Sequence, residues 1–305
     1  MSVHAHGHSH AHDHGHAHDH APESFGKAFA IGIGLNLGFV IVEAVFGFAA
    51  NSMALLSDAG HNLSDVLGLV IAWAGGTLAQ RGSSPRFTYG LKKASILAAL
   101  VNALFLLVAV GGIGAEAIRR LFHPSANEGG NVSIVAAVGI VVNGITALLF
   151  MRGQHDINIR GAFLHMAADA LVSLAVAIAG LVILWTGQQW VDPAMSLAVA
   201  IVILWGSFGL LKESMWMSLA GVPAGIDADE VEEALGEIDG VETVHDLHIW
   251  PLSTTETALT AHLVAPHIPS TDALLRDARK MLHDRFAIGH CTLQIERTHL
   301  EDTAC

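Results

Sequence analysis

Only two of the 305 residues are cysteine, Cys291 and Cys305, and only one is tyrosine. Two thiols cannot build a disulfide framework, and they suit a reducing cytosol. Charge is scarce as well. Asp, Glu, Lys and Arg make up 14% of the chain, against about 25% in a soluble domain, while 52% is hydrophobic and the mean hydropathy is +0.50. Positive charge is the scarcer sign: 15 Lys and Arg stand against 28 Asp and Glu, for a formal net charge of −13. That balance excludes a nucleic-acid partner, which calls for basic patches. The patterns His-Glu-x-x-His, Gly-x-Ser-x-Gly and Gly-x-x-x-x-Gly-Lys are missing, and with them the usual marks of a zinc protease, a serine hydrolase and an ATP-driven pump. No secretory signal is expected either, because the first twenty residues carry no Lys or Arg and no apolar core.

What remains is apolar. Six stretches of about twenty or more residues, the length that spans a bilayer, cover roughly 25–48, 54–80, 92–120, 132–152, 162–186 and 190–217. The expected architecture is a polytopic α-helical membrane protein with six transmembrane helices over residues 23–217, set in a lipid bilayer. The second stretch is the least apolar, since it holds Ser57, Asp58, His61, Asn62, Ser64 and Asp65. Basic residues sort by loop. Arg81, Arg86, Lys92 and Lys93 lie between stretches two and three, Arg152 and Arg160 between four and five, and only Arg119 and Arg120 fall on the other side. The positive-inside rule then puts both termini in the cytoplasm.

Residues 1–22 form a low-complexity tail in which nine of the first twenty residues are His. It has too few apolar residues to fold and is expected to be disordered. Alternating His with small residues suits loose, exchangeable metal binding, whereas a purification tag is usually an uninterrupted run. At the other end, residues 218–305 regain charge and lose the long apolar runs. Asp227 to Ile238 reads as a helix, "VETVHDLHIWPL" and "TETALTAHLVAP" as a strand pair, Ser270 to Phe286 as a helix capped by Ser270 or Thr271, and "HCTLQIERTH" as a strand. The order α-β-β-α-β predicts a small α+β domain with its helices on one face of a sheet.

Two pairs of ionisable residues stand inside the apolar stretches, and both read His-x-x-x-Asp: His61 and Asp65 in "SDAGHNLSD", His165 and Asp169 in "LHMAADALVS". Four residues is about one helical turn, so each pair projects from one helix face. Charge inside a bilayer is costly and marks function by default. No Lys or Arg stands at the centre of a span to pair with these acids. Two carboxylates and two neutral imidazoles around one divalent ion give an assembly of zero net charge, in the tetrahedral nitrogen–oxygen set that zinc prefers. His61, Asp65, His165 and Asp169 are therefore the candidate site for a divalent metal inside the membrane.

Other polar residues carry weaker readings. Asp192 precedes Pro193 and reads as a helix N-cap. Glu43 is either a proton-handling acid or a packed, protonated one. Asn36, Asn102 and Asn143 read as hydrogen-bond glue between helices, and Gly34-x-x-x-Gly38 as a place where helices approach closely. In the C-terminal domain His245, His262, His290 and Glu296 are candidate ligands of a second, regulatory metal site. His245 and His262 can meet across a hairpin, and His290 and Glu296 share a strand face because their separation is even. By the same parity His248 is expected on the face opposite His245.

The segments "LLSDAGHNLSD", "YGLKKASILAALVNA", "LHMAADALVS" and "VHDLHIWPL" resemble those of the cation diffusion facilitator family, close to its bacterial zinc exporters, over residues 25–300. The resemblance implies six spanning helices, a cytoplasmic ferredoxin-like C-terminal domain, a homodimer in the bacterial inner membrane, and export of zinc in exchange for protons. Cadmium, cobalt and nickel are further candidate cargoes, and no organic cofactor is implied. It also implies that His61, Asp65, His165 and Asp169 are the transport site, the His-Asp form of the second-helix pair being associated with zinc. Some relatives place metal ligands in the loop after the second span. Here "RFTYGLKKAS" has Thr88, Tyr89 and Leu91 in that neighbourhood and no His, so that loop site is expected to be missing. Two rival readings remain at this level. One is a membrane sensor or store that binds zinc without moving it; the other is an intramembrane metalloenzyme, for which Asp58 is the only nearby base.

Overall fold

The computed structural model describes residues 24–49, 53–122, 132–188 and 190–299. The His-rich tail lies outside the described residues, as do the side chains of Asp58, His61 and Asp192 within their helices. Six long helices come first: α1 (Ser24–Ala49), α2 (Met53–Ala79), α3 (Lys93–Phe122), α4 (Val132–Phe150), α5 (Ile157–Thr186) and α6 (Val191–Ser218). They run to between 19 and 30 residues. At 1.5 Å per residue that is about 28–45 Å, enough for a hydrocarbon layer of about 30 Å. Gly26–Phe46, Lys93–Phe122 and Pro193–Ser218 are long and apolar enough to cross a membrane, while the apolar parts of α2 and α4 among the described residues, Asp65–Ala79 and Val138–Phe150, are shorter. The outside of the bundle carries Phe48, Val108, Trp185 and Trp205, each at least 74% exposed. Such a surface is at home in lipid and not in water.

The helices form two groups. Phe29 of α1, Leu69 and Ala72 of α2, Ala147 and Phe150 of α4, and Ile159, Ala162 and Met166 of α5 share one apolar core. Ile96, Ala99, Ala103 and Leu106 of α3 close with Leu210 and Met217 of α6 around a second. Contacts of α2 with α3 and of α5 with α6 join the two groups.

Several local expectations change. Gly34 and Gly38 face outward, and a Cβ on either would meet nothing within 4 Å. The close approach is at Gly32 instead, where a Cβ would stand 3.0 Å from Thr146 of α4. One turn on, Asn36 donates to Thr146 Oγ1 at 3.2 Å, so that asparagine does join helices. Helix α5 starts earlier than the hydropathy suggests, which places Arg160 in its first turn and not in a loop. There it pairs with Glu213 of α6. The N-cap of α6 is Trp190, so Asp192 is the second helical residue and not the cap.

The C-terminal domain follows the order α7 (Ala228–Gly236), β1 (Thr243–Pro251), β2 (Thr257–Val264), α8 (Thr271–Phe286) and β3 (His290–Glu296). Each helix opens on a side-chain cap, Asp227 accepting from Asp229 N at 3.0 Å and Ser270 from Ala273 N. The sheet runs β1-β2-β3, antiparallel then parallel, with α8 as the crossover of the parallel pair. Val231 and Leu235 of α7 and Leu274, Ala278 and Leu282 of α8 pack on Ile249, Leu259, Ala261 and Leu263 of the sheet. Asp246 adopts φ 51° and bulges β1, so that His245 pairs with His262 but His248 pairs with Thr260. The extra residue reverses the parity: His248 shares a face with His245, contrary to the count along an ideal strand.

The tip of the β1–β2 hairpin docks on the bundle. Leu252, Ser253 and Thr254 are buried there. Thr254 N donates to Ser95 Oγ at 3.2 Å, Asn158 Nδ2 to Ser95 O at 3.0 Å, and Lys92 pairs with Glu256. The end of the bundle where α2 ends and α3 and α5 begin therefore faces this domain.

Candidate metal centres

Helices α2 and α5 belong to one core, and their ligand-bearing faces meet. His165 Nε2 lies 2.7 Å from Asp65 Oδ1, the ring nitrogen donating to the carboxylate across the bundle. Asp169, one turn further along α5, has Oδ2 3.9 Å from the same nitrogen. The donor atoms of Asp65, His165 and Asp169 all lie within 4.8 Å of one another, and all three side chains are at most 13% exposed. His61 stands one turn before Asp65 on α2, with its side chain outside the described residues.

Two carboxylates share this apolar interior. Among the described residues the Lys and Arg ion pairs of the bundle lie elsewhere, at Arg160–Glu213 and at Arg119 and Arg120 with Glu116. Asp65 Oδ2 and His165 Nδ1 are buried without a hydrogen-bond partner among the described residues. A buried lone pair without a donor costs free energy, and a divalent cation held between the two carboxylates would meet that need at Asp65 Oδ2. Beside the cluster, Asn62 of α2 donates to Glu43 Oε2 of α1 at 2.7 Å, so Glu43 braces α2 at the residue next to His61.

A second cluster sits on the sheet. His245 of β1 faces His262 of β2 with ring centroids 5.1 Å apart, and Glu296 at the end of β3 reaches both. Its two oxygens stand 3.2 Å from His245 Nε2 and 3.2 Å from His262 Nδ1. The donor atoms of these three residues also lie within 4.8 Å of one another. Two imidazoles and a carboxylate are a donor set that zinc accepts with one position left open. His290 does not join them. It is six residues from Glu296, about 20 Å along the strand, and its ring packs edge-on against Tyr89 of the α2–α3 loop at 5.4 Å. Sharing a strand face was true of that pair and insufficient.

Two groups at this cluster were not singled out from the sequence. Asp246 lies 3.6 Å from His262 Nε2 and 2.9 Å from His248 Nε2, brought there by the bulge that its own left-handed backbone makes. His299, beyond β3, brings its ring to 4.4 Å from that of His245. Asp tolerates φ > 0 better than most residues, which is a faint signal for the first; nothing local marks the second.

A bundle of lipid-facing helices with carboxylates and an imidazole gathered inside it, joined to a small α+β domain, defines an integral membrane protein of the ion-handling kind. The comparisons with known proteins agree. The model of the cation efflux transmembrane domain matches residues 29–217, and that of the cation efflux protein cytoplasmic domain matches residues 223–298. The chain belongs to the cation efflux, or cation diffusion facilitator, family. It is similar to a cadmium, cobalt and zinc/H(+)-K(+) antiporter of Bacillus velezensis, 36% identical over 276 residues and 88% of each chain. It is similar as well to the metal cation efflux system protein CzcD of Cupriavidus metallidurans, 36% identical over 88% of this chain and 86% of that one. The zinc transporter ZitB of Escherichia coli is 36% identical over 86% of this chain and 85% of its own. The family makes this chain a transporter and not an enzyme.

Proposed function

We propose that the chain exports zinc from the cytoplasm in exchange for protons, loading the ion on Asp65, His165 and Asp169 with His61 as fourth donor. What carries the reading is the meeting of two His-x-x-x-Asp helices: Asp65 and His165 are 100 residues apart in sequence and in contact in the bundle. The relatives' names, a zinc/H(+)-K(+) antiporter and a zinc transporter, support the cargo and the counter-ion. An imidazole binds metal only through a nitrogen free of its proton, so protons compete with the ion, and a proton gradient can drive its release on the far side. Alternating access follows if the two helix groups rock about the site. Cadmium, cobalt and nickel fit the same donors less selectively.

The placement belonging to this reading is the inner membrane with both termini in the cytoplasm, which sets the hairpin contact on the cytoplasmic side. Two copies assemble through the C-terminal domain, where His245, His262 and Glu296 hold a regulatory zinc. His290 falls outside that set. The His-rich tail concentrates metal near the inlet. Zinc flux into proteoliposomes under an imposed pH gradient tests the whole. The reading expects flux that follows the gradient and disappears in Asp169→Ala. Zinc binding without any flux in the wild-type chain would instead make it a sensor or store.

A further inference from the structure

Six of the buried polar residues form a file from the hairpin contact to the membrane cluster. From the C-terminal-domain end inward they are Thr254, Ser95, Asn158, Asn102, Asp65 and His165, each at most 8% exposed. Ser95 takes the Thr254 N–H on its hydroxyl and the Asn158 carboxamide on its carbonyl. Asn102 stands seven residues further along α3, two turns and about 10 Å deeper on the same face. There its carboxamide is wedged between the two ligand-bearing helices. A Cβ on Gly68 of α2 would meet Asn102 Oδ1 at 3.0 Å, and a Cβ on Gly161 of α5 would meet Nδ2 at 2.8 Å. Gly68 comes one turn after Asp65 and Gly161 one turn before His165, both toward the C-terminal domain. The wedge thus lies directly between that end and the cluster. It also lies on the seam between the α3–α6 group and the α1–α2–α4–α5 group.

A carboxamide in an apolar seam is costly to bury, and its position gives it a task. We infer that this file is the path of the ion between the C-terminal-domain side and the Asp65–His165–Asp169 cluster, and that Asn102 is its gate. Seated against Gly68 and Gly161, the side chain closes the seam. Parting α3 from α2 and α5 frees it, and its carbonyl oxygen then replaces one water of the passing ion. Amide oxygen suits that use, since it is a divalent-cation ligand without the charge that would trap zinc short of the cluster. The inference rests on the proposed transport of zinc from that side.

The test is zinc flux through the full chain in proteoliposomes, with maximal rate and half-saturating zinc measured separately. Asn102→Leu keeps the branched shape and the number of heavy atoms and removes the carboxamide; the expected result is a maximal rate at least tenfold lower with half-saturation moved less than threefold. Asn102→Ser, which keeps a small oxygen donor, is expected to stay within threefold of wild type in both. Normal maximal flux in Asn102→Leu overturns the gate. If Asn102→Leu fails to fold, Asn102→Cys in a Cys291→Ser, Cys305→Ser chain decides. A charged, membrane-impermeant thiol reagent should modify it from the C-terminal-domain side and be slowed at least fivefold by zinc; absence of modification from that side overturns the path. Asp169→Ala separates the two claims. Flux that survives in Asp169→Ala removes the transport site itself, whereas flux lost there but normal in Asn102→Leu removes only the gate.

Discussion

The two donor clusters hold similar groups in opposite ways. In the membrane, Asp65 comes from α2 and His165 and Asp169 from α5, and what holds them together is side-chain packing between helices. On the sheet, His245 and His262 are locked by the backbone ladder of β1 and β2, and Glu296 by that of β2 and β3. Packed helices can slide or rock by an ångström or two without breaking a backbone hydrogen bond, whereas strands cannot change register without turning their side chains over. A site that must load and unload is suited to the first arrangement. A site that must report occupancy by holding one geometry is suited to the second.

The contrast can be broken most severely at the acids. Asp65→Ala and Asp169→Ala are each expected to cut zinc flux at least a hundredfold, roughly the loss of one charged ligand worth about 3 kcal/mol or more. Glu296→Ala removes the oxygen that bridges the sheet histidines. It is expected to abolish regulatory activation by cytoplasmic zinc, leaving simple saturation by the transported ion with maximal flux within threefold, read in the same vesicles. Equal losses at Glu296 and Asp169 would erase the distinction between the clusters.

Smaller effects sharpen the hairpin that lies between them. Burial raises the Asp156 carboxyl above its ordinary value, against hydrogen bonds from Asn158, Thr254 and Ile159. The folded chain therefore holds that proton more tightly than the unfolded one, and the contact gains stability as pH falls through the raised value and loses it as pH rises. Asp156→Asn is accordingly expected to raise the Tm at neutral pH, with the gain vanishing in acid below the ordinary carboxylate range. Lys92→Glu should lower the Tm slightly, since half-exposed pairs contribute about 0–1 kcal/mol, and adding Glu256→Lys should restore it. Smallest is the thiol of Cys291. Burial pushes it up, so its alkylation should have a higher pH midpoint than that of a free cysteine, shifting back down on unfolding.

Much of this was legible from periodicity and composition. The six apolar runs, the α-β-β-α-β order and the Ser270 cap all follow from local signals, which is the range over which hydropathy and capping act. The meeting of Asp65, His165 and Asp169 was legible too, because a repeated His-x-x-x-Asp in lipid has few other uses, while the side chain of His61 lies outside the described residues. What escaped were long-range facts. Nothing near His290 says that it ends up against Tyr89, and the parity of His245 and His248 depends on one left-handed residue, Asp246. Asn102 read as generic glue, because its role depends on glycines 34 residues before it and 59 after it.

Zinc-edge X-ray absorption on a chain lacking residues 2–20 and carrying Glu296→Ala isolates the membrane cluster. The account predicts one bound zinc with two imidazole nitrogens and carboxylate oxygens at about 2.0–2.2 Å, lost when Asp169→Ala is added. A zinc spectrum that keeps the same imidazole and oxygen shell after Asp169→Ala would contradict it.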